Sequence, residues 1–176
     1  MNKYFFTFFL MLALISGNTV FAQIKTQEQV DAENGLEWHT KLQEVYDLSK
    51  TTHKPIFAFF TGSDWCGWCI RLQKEVFAKP EFVAWAKKNV ILFELDFPRR
   101  KQLPDDLQQQ NNSLQQALKI TGYPTVWLLY MERDEKTNSV NLSTLGSLGY
   151  PRSPAPGLEA ETFLNEANRI LSQKTN

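Results

Sequence analysis

The sequence predicts an α/β domain, a central sheet of mixed direction with helices on both faces. Three observations predict it. Three apolar runs of strand length, 56–60, 90–97 and 125–131, are separated by segments with helical apolar spacing. The runs are almost continuously apolar rather than alternating, as strands covered on both faces are. After the third run, a polar turn and one more strand-like segment form an antiparallel hairpin before a final helix.

Each element has its own signal. Leu36, Leu42, Val45, Tyr46 and Leu48 form an apolar stripe, predicting a helix over 36–50 that ends at His53-Lys54-Pro55. Ile56–Phe60 is the first strand, and Thr61-Gly62-Ser63-Asp64 turns the chain. Cys69, Leu72 and Val76 then recur at helical spacing, so a helix begins close to Cys66. Pro80 suits the first turn of a second helical stretch to about Lys88. The polar stretch after the second strand conceals a helical face in Leu103, Leu107, Leu114 and Leu118. Pro104, Asp105 and Asp106 form its first turn, where the helix dipole favours acids, and Gly122 ends it. Thr125–Met131 is the third strand, and Val140–Gly149 is expected to pair with it. Pro151, Pro154 and Pro156 stiffen the following loop, and 158–173 closes the domain as a helix.

Composition narrows the class. The 176 residues suit one domain, and the 43% hydrophobic content, with thirteen Phe and five Trp, suffices for a core filled with rings. Nineteen basic residues balance nineteen acidic ones without a basic block, so nucleic acid is not an expected partner. The first 22 residues read as a secretory signal peptide. Lys3 is the positive start, 4–15 is an apolar run broken only by Thr7, and Val20-Phe21-Ala22 is a cleavage site. The run is shorter than the roughly 20 residues of a membrane span, so cleavage after Ala22 is expected, with an uncleaved anchor as the alternative. Cleavage would leave eighteen basic and nineteen acidic residues, a net charge of −1. The expected organisation is a signal peptide over 1–22, a polar tail over 23–35 and one domain over 36–176, exported in soluble form and most simply periplasmic.

Export would place Cys66 and Cys69 where disulfides persist. Two cysteines three positions apart close a very small loop and restrain the unfolded chain little, so they read as reactive or metal-binding. Their place between a buried strand and a helix favours reactivity. The first-turn N–H groups of a helix lack backbone partners and carry partial positive charge, which stabilises a thiolate at Cys66. Cys69 lies one turn along on the same side, the more protected sulfur, within reach of a mixed disulfide. Gly67 leaves Cys66 open to an approaching chain. A zinc site would need His39 and His53 as the other ligands, and no second Cys-x-x-Cys or His-x-His pair is present, so no metal or other cofactor is expected. Both histidines are expected at the surface. Asn111-Asn112-Ser113 and Asn141-Leu142-Ser143 match glycosylation acceptors, a pattern common by chance.

Trp65-Cys66-Gly67-Trp68-Cys69, the preceding Thr61-Gly62-Ser63-Asp64, Leu95-Asp96-Phe97-Pro98-Arg99-Arg100 and Gly122-Tyr123-Pro124-Thr125 together resemble the thioredoxin superfamily. Within it, the chain is most similar to exported thioredoxin-like proteins with a TGSDWCGWC motif. The similarity covers about Lys54 to Tyr150. It implies the thioredoxin fold and thiol–disulfide oxidoreductase activity on protein disulfides, with Cys66 and Cys69 as the redox pair. It also implies a cis bond before Pro124, and Tyr123 presenting its backbone to an incoming peptide. Trp65 and Trp68 are expected at the rim of the site, as packing or substrate contacts.

The chain departs from thioredoxins proper where those carry a buried aspartate and its lysine partner. The aspartate position falls on Phe60, or on Phe59 if the turn is one residue longer, and the lysine position falls near Leu92. Asp64, Glu94 and water are the candidates for the missing proton relay, although a turn residue and a solvent-reaching strand residue are the plainer readings of the two acids. Arg71, Lys74 and the run Arg99-Arg100-Lys101 read as solvated surface. Oxidising members of the fold usually carry His beside the second cysteine, where its charge favours the reduced form. Trp68 carries none, so the expected direction is reduction, with electrons from a membrane-bound thiol–disulfide donor. A thioredoxin-fold binding or chaperone module, a disulfide oxidant or isomerase, and a dedicated factor for metal- or haem-protein maturation are the alternatives.

Overall fold

The computed structural model describes residues 35–173 except 135, 138, 153 and 154. The expected signal peptide, the tail before Gly35 and Pro154 lie outside the described residues. Five strands form one sheet in the order β1-β3-β2-β4-β5: β1 Trp38–His39, β2 Ile56–Thr61, β3 Ile91–Asp96, β4 Thr125–Arg133 and β5 Val140–Leu148. β1 and β2 both run parallel to β3, β4 runs antiparallel to β2, and β5 runs antiparallel to β4. All six residues of β2 are buried, as expected of a strand covered on both faces.

Side chains alternate across the sheet and build two layers. One contains Phe57, Phe59, Leu92, Val126 and Leu128 with Cys66, Cys69 and the inner face of helix α5, Glu159–Ser172. Helix α2, Gly67–Leu72, continues as a π-helix over Gln73–Phe77, and helix α3, Pro80–Asn89, joins the same layer. The other contains Ile56, Ala58, Phe60, Phe93, Leu95 and Leu129 with Val45 of α1, Leu42–Thr52, and Leu114 of α4, Asp105–Ala117. Helices therefore cover both faces, as expected. Phe77 stands at the centre of the first layer, stacked on Phe82 at 4.6 Å and edge-on to Phe59 at 5.0 Å. Burying one such ring contributes about 1.5–3 kcal/mol.

The segment 36–41 is not helical, contrary to the stripe that begins at Leu36. Trp38 and His39 form the edge strand β1, and α1 starts at Leu42. The extended backbone sends Trp38 onto Phe57, Phe59 and Phe77, a packing that a helix at this place could not reach. His39 is consequently buried rather than at the surface, with Nδ1 3.0 Å from Glu44 Oε1. His53 is exposed and closes α1 in the left-handed conformation, φ 58°. α4 ends at Ala117, before Gly122, and Lys119 takes the positive φ of 52°. Asn111 is buried and donates from Nδ2 to the Asp96 carbonyl at 3.0 Å, so it is not an accessible glycosylation acceptor in the folded chain.

The π-turn and a bulge each change which residues face inward. The Ala78 N–H reaches back five residues to the Gln73 carbonyl, and the consecutive Val76 and Phe77 are both fully buried. Between Leu128 and Leu129 the β4–β5 register shifts by one. The shift lets Leu145 and Leu148 pack in the cysteine-side layer while Leu142 and Val140 pack in the other. Among the described residues no helix is long and apolar enough to cross a membrane.

Candidate active site

The site lies where β2 hands the chain to α2. Cys66 and Cys69 are joined as a disulfide with Cα atoms 5.2 Å apart. Cys66 is the N-cap of α2, and its sulfur accepts the Cys69 N–H at 3.2 Å. Cys69 is fully buried, whereas Cys66 retains 6% exposure. Beside them Gly67 is exposed, and a Cβ built there meets nothing. An incoming chain thus has room at Cys66 and none at Cys69. Trp68 and Ile70 project outward, about half exposed.

A clamp that the sequence did not reveal as such holds the turn before Cys66. Asp96, at the end of β3, is buried to 8% exposure. Its carboxylate accepts the Ser63 N–H at 2.8 Å and the Ser63 hydroxyl at 2.6 Å, and pairs with Lys101 Nζ at 2.9 Å. The carboxylate raises the Lys101 pKa above its usual range. Trp65 donates from Nε1 to the Phe97 carbonyl at 2.8 Å, and Arg99 lies over its ring at 3.7 Å. Gly62 makes this possible, because a Cβ there would sit 2.4 Å from the indole. The run 99–101 is therefore built into the site and is not merely solvated.

Asp64 belongs to the same clamp. Its carboxylate accepts the Arg99 N–H at 3.0 Å and the Arg100 N–H at 2.7 Å, and the Arg99 bond above all holds its pKa below the ordinary carboxylate range. These bonds give Asp64 a place in the turn. Glu94 is half-buried, in register with Phe59 on the neighbouring strand. Phe59, not Phe60, packs in the cysteine-side layer. Leu92 lies in the same layer. The internal acid and lysine positions are thus filled by apolar groups.

The opposite rim comes from distant parts of the chain. The Tyr123–Pro124 bond is cis, as the resemblance implies. Tyr123 meets Trp65 edge-on at 5.7 Å, and burial raises its pKa. Tyr150 arrives from beyond β5 and packs on Trp68 at 5.0 Å. Its hydroxyl donates to Glu75, which also pairs with Arg71 at 2.9 Å, and Arg71 covers both Trp68 and Tyr150. Burial first, and then the Glu75 carboxylate, push the Tyr150 pKa up to about 12. Trp68 is therefore an exposed ring held in place from beneath.

A thioredoxin-type sheet with a paired Cys-x-x-Cys at the start of a helix and a cis-proline defines the class. Residues 42–134 match the thioredoxin-like domain family, and the chain belongs to it. It is 37% identical over 105 residues to the disulfide bond reductase DsbH of Chlamydia pneumoniae, covering 60% of this chain and 61% of that protein. It is 30% identical over 112 residues to the thioredoxin-related protein DsbJ of the same organism, covering 64% of this chain and 32% of that protein. The matched stretch thus spans less than two thirds of either relative. A solved DsbH oxidoreductase structure aligns with a TM-score of 0.64 at 31% identity, covering 78% of this chain and 85% of that one. A thioredoxin from Thermus thermophilus aligns at 0.54 with 14% identity, covering 80% of this chain and 90% of that one, a likeness of fold alone.

Proposed function

We propose that this chain is a thiol–disulfide oxidoreductase that reduces disulfides in exported proteins. The observation that carries the proposal is the hydrogen bond from the Cys69 N–H to the Cys66 sulfur at the start of α2. A sulfur that already receives a helix-start N–H bears negative charge more readily, and thiolate is the nucleophile of exchange. Cys66 thiolate attacks a substrate disulfide and forms a mixed disulfide. The released substrate thiolate takes up a proton. Cys69 then loses its proton and attacks Cys66, closing the internal disulfide and freeing the second substrate thiol. Two electrons pass to the substrate.

Trp65, Gly67, Trp68, Tyr123 and Pro124 are the proposed substrate contacts. Reduction is favoured because the uncharged Trp68 stands beside Cys69, and because one relative is called a disulfide bond reductase. An exported, periplasmic protein would draw its electrons from a membrane-bound thiol–disulfide donor, and the working unit is the single domain over 36–176. Cys69→Ser tests this reading, since it should accumulate mixed disulfides on Cys66 that dithiothreitol releases. Equilibration of the wild-type pair with glutathione should give a reducing to moderate potential. A strongly oxidising potential overturns the direction, and activity that survives replacement of both cysteines overturns the redox reading itself.

A further inference from the structure

A buried hydroxyl without a partner is rare in folded proteins and calls for an explanation. Among the described residues, Thr61 Oγ1 is the one buried side-chain oxygen or nitrogen with no hydrogen-bond partner. Thr61 is fully buried and ends β2. Strand alternation puts it on the face of Phe57 and Phe59, which pack in the layer that holds Cys66 and Cys69. The acid position on that face is filled by Phe59 and the lysine position by Leu92. Thr61 is consequently the only polar side chain that β2 sends toward the cysteine side.

We infer that Thr61 is a positioning residue for the second cysteine, its hydroxyl donating a hydrogen bond to the Cys69 thiolate when the pair is reduced. The inference rests on the redox reading above. Cys66 already has a donor in the Cys69 N–H, at 3.2 Å. Cys69 is fully buried, so bulk water does not solvate its charge. In the disulfide form Thr61 Oγ1 makes no hydrogen bond to sulfur, oxygen or nitrogen, so the proposed bond forms on reduction. During resolution, Cys69 gives its proton to the substrate thiolate released in the first step. It then attacks the Cys66 sulfur, and the bond from Cys66 to the substrate breaks. Thr61 keeps its own proton throughout and stabilises charge on Cys69 before the attack.

Charged groups also stand on the elements around the pair. Glu94 and the Asp96–Lys101 pair belong to β3 and its loop, Arg99 to the same loop, Asp64 to the turn, and the Arg71–Glu75 pair to the helix and its π-turn. All of them are retained in Thr61→Val, which replaces the hydroxyl by a methyl of similar size. The comparison with wild type therefore isolates the hydroxyl.

The test is single-turnover reduction of a small aromatic disulfide by the reduced full chain, followed over pH by thiol release. Thr61→Val should release the first thiol at the wild-type rate and the second about tenfold more slowly at neutral pH. The pH midpoint of the second step should move up by about one unit, the shift that corresponds to tenfold. Thr61→Ser should restore wild-type behaviour, and the oxidised Thr61→Val protein should unfold in urea no earlier than wild type. If Thr61→Val does not fold, Thr61→Ala serves as the hydroxyl deletion. A second phase identical to wild type overturns the inference, as does a Thr61→Ser protein as slow as Thr61→Val. Absence of any thiol release by wild type overturns the redox reading and this inference with it.

Discussion

Replacing Asp96 with Ala removes the acceptor at the centre of the clamp that fixes the turn before Cys66. Two hydrogen bonds from Ser63 end on this carboxylate, at 2.8 and 2.6 Å, together with the Lys101 ion pair at 2.9 Å. Lys101 is 58% exposed on its side chain, so its pair contributes only about 0–1 kcal/mol. Hydrogen bonds to a charged group contribute about 1.5–3 kcal/mol each. The two share one donor residue, so the lower end applies, and Asp96→Ala should cost about 3 kcal/mol. At a urea slope of about 2 kcal/mol/M, the unfolding midpoint falls by about 1.5 M with unchanged slope. Ser63→Ala removes the hydroxyl bond and keeps the N–H bond, so about 1.5 kcal/mol is expected. The double variant should be little worse than Asp96→Ala, a coupling of about 1.5 kcal/mol. Urea unfolding of the four oxidised proteins measures this cycle. A midpoint for Asp96→Ala within about 0.3 M of wild type, or strict additivity with Ser63→Ala, would refute the clamp.

Two further substitutions probe the same turn. Gly62→Ala puts a methyl 2.4 Å from the Trp65 ring, so the indole must leave its bond to the Phe97 carbonyl. A loss of about 1–3 kcal/mol is expected, with a change in tryptophan emission, and an unaltered spectrum would contradict it. Asp64→Asn tests a pH dependence. The Arg99 and Arg100 N–H groups lower the folded-state pKa of Asp64 below the reference value of 3.8. The stability this carboxylate provides is therefore complete above about pH 4 and is lost as pH falls through the lowered folded value. The gap in urea midpoint between wild type and Asp64→Asn should shrink on going from pH 7 to pH 3, and a gap constant over that range would exclude the linkage.

Much of the fold was legible because its signals are local. The unbroken apolar run at 56–60 required a strand covered on both faces, and all of β2 is buried. Pro80 sits at the first turn of α3, and Asp105 and Asp106 in the first turn of α4, where helix-end electrostatics place them. β1 was not legible, because two residues have no periodicity. Their strand character comes from the edge of β3 and from the rings that Trp38 covers. The π-turn at 73–77 and the bulge in β5 were hidden for a similar reason, since each is a choice of which neighbours face inward, made by the packed layers.

For the site, the sequence by itself determined the cysteine pair and its place at a helix start, because spacing and the strand before it are properties of the chain alone. It also determined that the internal acid and lysine were missing. Only the tertiary structure decided which of Phe59 and Phe60 faces the cysteines, since that depends on the length of a turn. It alone brought Asp96, Lys101 and Arg99 onto the turn and Tyr150 under Trp68, and it left Thr61 Oγ1 without a partner. Those contacts join segments about 30 to 80 residues apart, and no local pattern records which of many polar side chains will meet once the layers close.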